Sequence, residues 1–340
     1  MAVLSKKDWL RKKERKFLPD VVPLSTPFVM FIEPTNLCNF ECRFCPTGNK
    51  DLLKGCNRKN GFMPLNLFKK LVDDLKEFPE KVKLINLWKD GESFLHPDFP
   101  EMCQYLGKAN VAERFIARTN GTILDLDLCR KIIASGINEI GISVEAVNDE
   151  KYFELTRRKF SYRNLVKNVG ELFKIRENCR IYVKIIDVDL SADEKKRFFD
   201  DFAEISDVCA IEHLMGWSGD NFDFKLGHEV NVSQGGSLRN NNTVCTLPFT
   251  QLAVNCDGSV STCNADWMHK TIVGNINELK LRDIWNGNVL KEFREMHLKH
   301  LKDNNAACRK CDFIYQDIDT LDGYEDKVLD NLNKRLLSDA

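Results

Sequence analysis

The chain has 340 residues, of which 43% are apolar and 30% are charged, a composition typical of a folded globular protein and not of a disordered one. Its 50 basic and 51 acidic side chains give a formal net charge of -1, which argues against a nucleic-acid partner held by a general positive field. No apolar run approaches the length of a transmembrane helix, and the N-terminal residues lack the apolar stretch of a secretory signal, so we expect no transmembrane segment and a cytoplasmic location.

Apolar, β-rich runs alternate with stretches of helical period between residues 28 and 217. The strand candidates are Phe28–Glu33, Lys83–Trp88, Arg114–Thr119, Glu139–Glu145, Arg180–Val188 and Ala210–Gly216. The helical stretches include Pro64–Phe78, Leu124–Ala134, Tyr162–Ile175 and Ala192–Ile205. Because parallel strands need crossover helices, the pattern predicts an α/β fold, either an open doubly wound sheet or a partly closed barrel. In both, ligands bind at the C-terminal ends of the strands.

The composition changes near residue 218. Residues 218–242 are rich in Gly, Asn and Ser, which predicts a linker or flexible loop. Beyond it the sequence predicts a hairpin of Gln251–Val254 and Ser259–Thr262, a helix over Asn277–Leu301 and an amphipathic helix over Gly323–Leu337. We therefore expect a basic N-terminal extension (1–27), a strand–helix domain (28–217), a linker (218–242), a small C-terminal domain (243–315) and a C-terminal helix (316–340).

The chain has 13 cysteines, an odd number for a disulfide framework and a high one for a cytosolic protein. Three of them, Cys38, Cys42 and Cys45, directly follow the first predicted strand. Thiols at separations of four and three can converge on one metal centre, and soft thiolates select zinc or iron–sulfur clusters. Structural zinc takes four ligands and the loop offers three. An iron–sulfur cluster bound here would keep one iron open for a small molecule.

The spacing Cys38-x3-Cys42-x2-Cys45, with the aromatic Phe44 before the last cysteine, resembles the radical S-adenosylmethionine (SAM) superfamily. The resemblance implies a partial (β/α)6 TIM-like barrel and a four-iron, four-sulfur cluster whose open iron binds SAM. Reductive cleavage of SAM then yields a 5′-deoxyadenosyl radical that abstracts a hydrogen atom from substrate. It also implies an electron donor of the flavodoxin or ferredoxin type.

Further residues at the predicted strand ends agree with this resemblance. Lys89-Asp90-Gly91-Glu92 is similar to the family's Gly-Gly-Glu motif, with Asp90 in place of the first glycine. Thr119-Asn120-Gly121 resembles a common family turn, and Ile142-Ser143-Val144-Glu145 lies where members often bind the cofactor's ribose or carboxylate. The resemblance therefore assigns SAM binding to Phe44, Asp90, Gly91, Glu92, Asn120, Ser143 and Glu145.

A second cysteine set lies beyond the predicted linker. It comprises Cys245, Cys263, Cys308 and Cys311, and Gly258 lies between the first two. Four thiolates alone allow zinc or an iron–sulfur cluster. The spacing resembles the SPASM and twitch extensions of radical SAM enzymes. Because no cysteine follows Cys311, the extension is similar to the single-cluster type of 2-deoxy-scyllo-inosamine dehydrogenase, which implies one auxiliary 4Fe-4S cluster.

Four protein ligands leave no iron open, so the auxiliary cluster is expected to transfer electrons. This suits oxidation of a carbinol to a carbonyl or crosslinking of a peptide, each with a general base near the radical carbon. Asp266 is the candidate base, with His213 and Lys89 as rivals. Cys256, at the hairpin tip, is a candidate hydrogen donor, with packing as the alternative.

Several functions are compatible with these motifs. We favour a dehydrogenase acting on a carbohydrate, aminocyclitol or sugar nucleotide, because the auxiliary set is of the single-cluster type. The alternatives are a maturase of ribosomally made peptides and a radical epimerase or dehydratase. A non-catalytic iron–sulfur or zinc protein is disfavoured by the intact three-cysteine loop. The basic stretch Lys6–Lys16 is interpreted as a solvated helix face, with an anionic partner or membrane surface as the alternative.

Overall fold

The computed structural model describes residues 16–56, 58–219, 223–229 and 231–338, with side chains to residue 334. The basic stretch Lys6–Lys16 lies outside the described residues except for Lys16. In the described part of the chain, no helix has both the length and the apolar character that crossing a membrane requires.

Nine strands form one mixed sheet. They are β1 (Val29–Ile32), β2 (Leu84–Asn86), β3 (Phe115–Thr119), β4 (Glu139–Val144), β5 (Arg180–Asp187), β6 (Val208–His213), β7 (Gln251–Val254), β8 (Ser259–Ser261) and β9 (Ile272–Asn275). Their order is β6-β5-β4-β3-β2-β1-β7-β8-β9. Strands β1 to β6 are parallel neighbours in chain order, which is the arrangement of a partial barrel. The predicted α/β barrel is thus confirmed.

Helices connect these strands. They are α1 (Leu18–Val21), α2 (Lys50–Lys54), α3 (Leu65–Asp74), α4 (Phe99–Ala109), α5 (Leu126–Ile133), α6 (Asp149–Thr156), α7 (Tyr162–Ile175), α8 (Ala192–Phe202), α9 (Leu247–Thr250), α10 (Leu281–Asn286), α11 (Asn288–Leu298) and α12 (Glu325–Ser338). The predicted helix Tyr162–Ile175 is found with the same ends. Its Ser161 N-cap accepts the Asn164 N–H, and Leu165, Val169 and Leu172 face the core.

Two elements differ from the sequence prediction. The sixth strand begins and ends earlier than Ala210–Gly216, because its pairing with β5 runs from Val208 to His213. The single helix predicted over Asn277–Leu301 is wrong: α10 ends and α11 begins at Gly287, whose backbone is extended. Apolar residues at helical spacing lie on both sides of Gly287, so each half of the segment by itself predicts a helix.

The C-terminal segment extends the barrel sheet. Strand β7 pairs in parallel with β1, from Val29 with Gln251 to Ile32 with Val254, and the predicted hairpin follows as β7 and β8. The described part of 218–242 packs on this segment, where Ser218 Oγ donates to the Ala265 carbonyl at 2.5 Å. Consequently the C-terminal ends of β1, β2 and β7 lie side by side.

Candidate functional site

The three-cysteine loop follows β1 and rests on α6. The backbone N–H of Glu41 donates to Thr156 O, and that of Arg43 to Leu155 O, each at 2.9 Å. Cys38, Cys42 and Cys45 form no disulfide bonds, and all three are half-buried. The predicted triad is therefore held as one loop against the barrel.

Two close backbone contacts fix the path of this loop. Gly48 lies against Cys42, and a Cβ atom at Gly48 would come within 2.7 Å of the Cys42 nitrogen. Trp217, just after β6, donates its indole N–H to the Phe44 carbonyl at 3.0 Å. The three-cysteine loop, which follows the first barrel strand, thus also contacts a residue that follows the last one. Only glycine fits at position 48.

The thiols of the loop suit a cationic centre. Burial is the main cause that raises the pKa of Cys38 to about 12 and that of Cys45 to about 11. Such thiols deprotonate when a metal centre supplies positive charge. Among the described residues no three His, Cys, Asp or Glu side chains converge as one metal ion requires. The three thiols fall one short of the four ligands of structural zinc and suit an iron–sulfur cluster with one open iron.

The Lys89–Glu92 segment closes over the cysteine loop. The Glu92 N–H donates to Leu37 O at 2.9 Å, and a Cβ atom on Gly91 would come within 2.7 Å of the same oxygen. Glycine at position 91 is thus required by the close approach of two backbones. This explains why the motif keeps its second glycine although Asp90 replaces the first.

Glu92 ties this segment to the turn after β3. Its carboxylate accepts the N–H groups of Phe94, at 3.0 Å, and of Asn120, at 2.6 Å. The side-chain amide nitrogen of Asn120 lies 3.9 Å from the Cys38 sulfur. Burial raises the pKa of Glu92 to about 7, while its hydrogen bonds lower the pKa. Two predicted cofactor-binding residues therefore meet beside the first cysteine.

Ser143 and Glu145 lie at the end of β4. Ser143 is half-buried, and Glu145 is buried with its Oε2 atom unpartnered in the described part of the chain. Burial raises the pKa of Glu145, and the charge of Lys184 lowers it. An unpaired buried carboxylate oxygen at a barrel strand end is suited to accept a hydrogen bond from a ligand.

A buried ionic cluster lies between the cysteine loop and the C-terminal segment. The Asp90 carboxylate accepts Lys89 Nζ at 2.5 Å and Arg58 Nη1 at 3.2 Å. Glu33, at the end of β1, accepts the Asp90 N–H at 3.2 Å. All four side chains are buried. Burial raises the pKa of Glu33 and the charges of Lys89 and Arg58 lower it, while the Asp90 carboxylate pairs directly with both cations.

The ionic cluster also contacts the C-terminal domain. Lys89 Nζ donates to the Asp266 carbonyl at 3.1 Å, and Arg58 donates to the Trp267 carbonyl at 3.3 Å. The second carboxylate oxygen of Glu33 accepts the Cys256 N–H at 3.1 Å. Charged hydrogen bonds thus connect the end of β1 and the Lys89–Glu92 segment with the loop after Cys263.

The second cysteine set surrounds one cavity. Cys245, Cys263, Cys308 and Cys311 all line a mostly apolar cavity of about 30 Å³. The Ala265 N–H donates to the Cys263 sulfur at 3.2 Å. Burial raises the pKa of Cys311 to about 11 and those of Cys245 and Cys263 well above the usual value. The donor set fits a cluster with four thiolate ligands.

The predicted base and hydrogen donor are both buried. Asp266 accepts the N–H groups of Lys270, at 3.0 Å, and Thr271, at 2.6 Å, so both of its carboxylate oxygens are used within its own loop. Cys256 is 3% exposed, and burial raises its pKa to about 12. His213 closes β6, and its backbone N–H donates to Gln234 O. The Asp266 carboxylate is therefore engaged in hydrogen bonds within its own loop.

Sequence reasoning missed four residues that line or connect these sites. Glu33 and Arg58 complete the ionic cluster, His269 is a half-buried residue in the loop after Cys263, and the buried His297 lines the second cysteine cavity. His269 Nε2 and both ring nitrogens of His297 have no hydrogen-bond partner in the described part of the chain. Isolated histidines and arginines carry no spacing signal, so only their contacts reveal them.

The chain matches two known families. Residues 32–190 match the Radical SAM superfamily, and residues 245–312 match the SPASM iron–sulfur cluster-binding domain. Among curated relatives, a tungsten-containing aldehyde ferredoxin oxidoreductase cofactor-modifying protein of Pyrococcus furiosus is 21% identical over 84% of this chain and 89% of its own length. An S-adenosyl-L-methionine-dependent 2-deoxy-scyllo-inosamine dehydrogenase of Niallia circulans is 29% identical over 22% of this chain and 29% of its own length.

Solved structures share the fold. BtrN in complex with AdoMet and 2-DOIA aligns over 88% of this chain and 94% of its own, with 18% identity and a TM-score of 0.54. Streptococcus suis SuiB bound to precursor peptide SuiA aligns over 82% and 69%, with 15% identity and a TM-score of 0.63.

These matches coincide with the two cysteine sites. The radical SAM match includes the three-cysteine loop and Glu92, and the SPASM match includes all four cysteines of the second cavity. A radical SAM domain binds SAM and a 4Fe-4S cluster, and a SPASM domain binds auxiliary iron–sulfur clusters. The chain therefore contains a radical SAM domain at residues 32–190 and a SPASM domain at residues 245–312.

Proposed function

We propose that this protein oxidises a carbinol carbon of a hydroxylated small molecule, such as a carbohydrate, aminocyclitol or sugar nucleotide, to a carbonyl. The observation that carries the proposal is the cavity lined by four thiols, because an auxiliary cluster held by four protein ligands would have no open position for substrate and would act as an electron acceptor. The relatives' small-molecule substrates support the class. The substrate loses one hydrogen atom, one proton and one electron, so the product is two hydrogens lighter.

Seven of the 13 cysteines form the two proposed ligand sets. Cys38, Cys42 and Cys45 would hold the SAM-binding cluster, and Cys245, Cys263, Cys308 and Cys311 would hold the auxiliary cluster. When bound, the first cluster with SAM supplies the 5′-deoxyadenosyl radical and the second supplies an oxidant for the substrate. An external flavodoxin or ferredoxin type protein would deliver the starting electron.

The protein's own residues position the cofactor and exclude water. Gly91 allows its segment to lie against the cysteine loop, while Glu92 and Asn120 orient the strand ends around it. Glu145 offers an unpartnered oxygen at the same edge. The ionic cluster of Glu33, Arg58, Lys89 and Asp90 closes the space between the two domains. We assign these groups to positioning and not to proton transfer.

The proton acceptor is proposed to be His269 and not Asp266. Both Asp266 oxygens already accept hydrogen bonds, whereas His269 Nε2 has no partner among the described residues. Burial is the main cause that lowers the pKa of His269 to about 4, and the Lys89 charge lowers it further. The imidazole is therefore neutral at physiological pH, with one ring nitrogen free to accept a proton.

The proposal is tested with anaerobically reconstituted enzyme, a chemical reductant, SAM and cell-extract metabolites. A product two hydrogens lighter than its substrate, formed with 5′-deoxyadenosine, is expected. With substrate deuterated at the carbinol carbon, the label should move into 5′-deoxyadenosine. Deuterium transfer without a mass loss would contradict oxidation and support an epimerase.

A second candidate function is peptide modification. It is favoured by the fold likeness to SuiB, which was solved with its precursor peptide. The same assay with peptide fractions decides between them. Formation of 5′-deoxyadenosine only in the presence of a peptide would replace the small-molecule proposal.

A further inference from the structure

Six polar residues besides the cysteines line the four-thiol cavity, and two of them have side-chain atoms without a hydrogen-bond partner within the described residues. His297 is 1% exposed, and neither of its ring nitrogens has a hydrogen-bond partner within the described residues. Thr262 is fully buried, and its Oγ1 atom is likewise unpartnered there. Both side chains line the same cavity as the four cysteines. Two unpaired polar groups thus face one metal site.

The local structure holds both groups in place. Thr262 directly precedes Cys263, and its backbone N–H donates to Thr271 O at 3.1 Å. His297 lies in the last turn of α11, one turn after Phe293, with ring centroids 5.2 Å apart. These contacts use no polar side-chain atom of either residue. The imidazole and the hydroxyl therefore remain available to a group inside the cavity.

An unpaired buried donor costs about 1–3 kcal/mol, so such groups are rare unless a ligand pairs with them. Burial, with a smaller effect of the Lys302 charge, lowers the pKa of His297 to about 4. The ring is therefore neutral and carries one N–H donor, and the threonine hydroxyl is a second donor. Cysteine and sulfide sulfur atoms are the acceptors that an iron–sulfur cluster would bring.

We propose that His297 and Thr262 donate hydrogen bonds to sulfur atoms of the auxiliary cluster and raise its reduction potential. Reduction adds negative charge to the cluster, and donors aimed at its sulfurs stabilise that charge. The apolar lining of the cavity has the opposite effect. The two donors therefore make the site a better one-electron acceptor. The inference rests on the auxiliary cluster of the proposed function and not on the identity of the substrate.

The test measures the auxiliary potential without substrate. Full-length protein with Cys38, Cys42 and Cys45 changed to Ala retains only the second site, so a redox titration followed by electron paramagnetic resonance reports one cluster. In this background His297→Phe should lower the potential by an amount equal to about a tenfold change in the electron equilibrium, about 59 mV for one electron. Thr262→Val should lower it in the same direction.

Two matched variants separate hydrogen bonding from packing. His297→Gln keeps an N–H donor and should retain most of the wild-type potential. Ile314→Val changes an apolar residue that lines the same cavity and should leave the potential unchanged. In D2O, the proton couplings that His297 and Thr262 contribute to the reduced cluster should disappear.

Equal potentials for His297→Phe and the parent protein would overturn the role of His297. If His297→Phe fails to bind iron, the comparison of His297→Gln with Ile314→Val decides: a lowered potential in both would make the effect one of packing. Because no substrate is used, these outcomes are independent of whether the protein proves to be a dehydrogenase.

Discussion

The three-cysteine loop takes its thiols from residues 38–45, whereas the four-cysteine cavity gathers its thiols from residues 245–311. The first set lies on one loop that the end of β1 and α6 hold in place. The second exists only after the hairpin, α9 and the segment after α11 have packed together. A set of three cysteines with one open ligand position can therefore be local in sequence, whereas the four-cysteine set depends on the tertiary fold.

Removing the first set should have the largest effect. Changing Cys38, Cys42 and Cys45 together to Ala should abolish 5′-deoxyadenosine formation, because the open iron that binds SAM is lost. Iron content should fall from about eight to about four atoms per chain, as expected for two four-iron clusters. Chromatographic detection of 5′-deoxyadenosine and iron analysis check both results. Residual 5′-deoxyadenosine above the protein-free control would contradict the assignment.

Removing the second set should separate cofactor cleavage from substrate oxidation. Cys308→Ala with Cys311→Ala should leave slow, reductant-driven SAM cleavage, since the first three ligands are untouched. Net oxidation should fall on the order of 100-fold, and the domain should lose stability because metal binding is coupled to folding.

Product assays and circular dichroism measure the two consequences of that double variant separately. Cys103→Ala is a matched control, because Cys103 is a buried free thiol in α4 outside both sets. Wild-type oxidation in the double variant would make the auxiliary cluster structural and remove the main support for a dehydrogenase.

Breaking the ionic cluster should uncouple the two regions. Asp90→Asn leaves Lys89 and Arg58 with fewer anionic partners in a buried site, and loss of one partner of a buried pair costs about 3–5 kcal/mol. The free energy of unfolding in denaturant should fall by that amount. Asp51→Asn, in an exposed pair with Lys54, should leave it nearly unchanged. Equal effects would show that the ionic cluster is not strongly coupled to folding.

The smallest effect concerns pH. Burial raises the pKa of Glu92 from 4.5 to about 7, so folding favours the protonated carboxyl. The contribution of the protonated carboxyl to the free energy of unfolding is complete below pH 4.5 and is lost as pH rises through about 7. This loss corresponds to about 3 kcal/mol at most.

Glu92→Gln replaces the titratable carboxyl with an amide that does not titrate. The difference in unfolding free energy between wild type and variant should therefore change with pH in that window. Denaturant titrations of SAM-free protein at several pH values measure it. Glu101→Gln, at an exposed position, is the control. A constant difference across the window would contradict the raised pKa.

Sequence reasoning found the cysteine sets, because thiol spacing is a local signal. It also placed the first six strands, since each is a short apolar run between polar turns. It missed the break at Gly287 because apolar residues at helical spacing lie on both sides of that glycine. It named Asp266 as a candidate base from its position three residues after Cys263, and only the structure shows that both oxygens of this carboxylate accept hydrogen bonds within the loop.

By itself, the sequence determined the strand–helix alternation, the resemblance to radical SAM enzymes and the two cysteine sets, since these depend on periodicity and spacing along the chain. Only the tertiary structure decided that β7 joins the barrel sheet beside β1. That pairing brings Glu33 to Cys256, and the packing of the C-terminal segment brings Lys89 to Asp266 and His297 to the cysteine cavity. These contacts join residues far apart in the chain, and burial and pairing of polar groups, which no local pattern records, give them their chemistry.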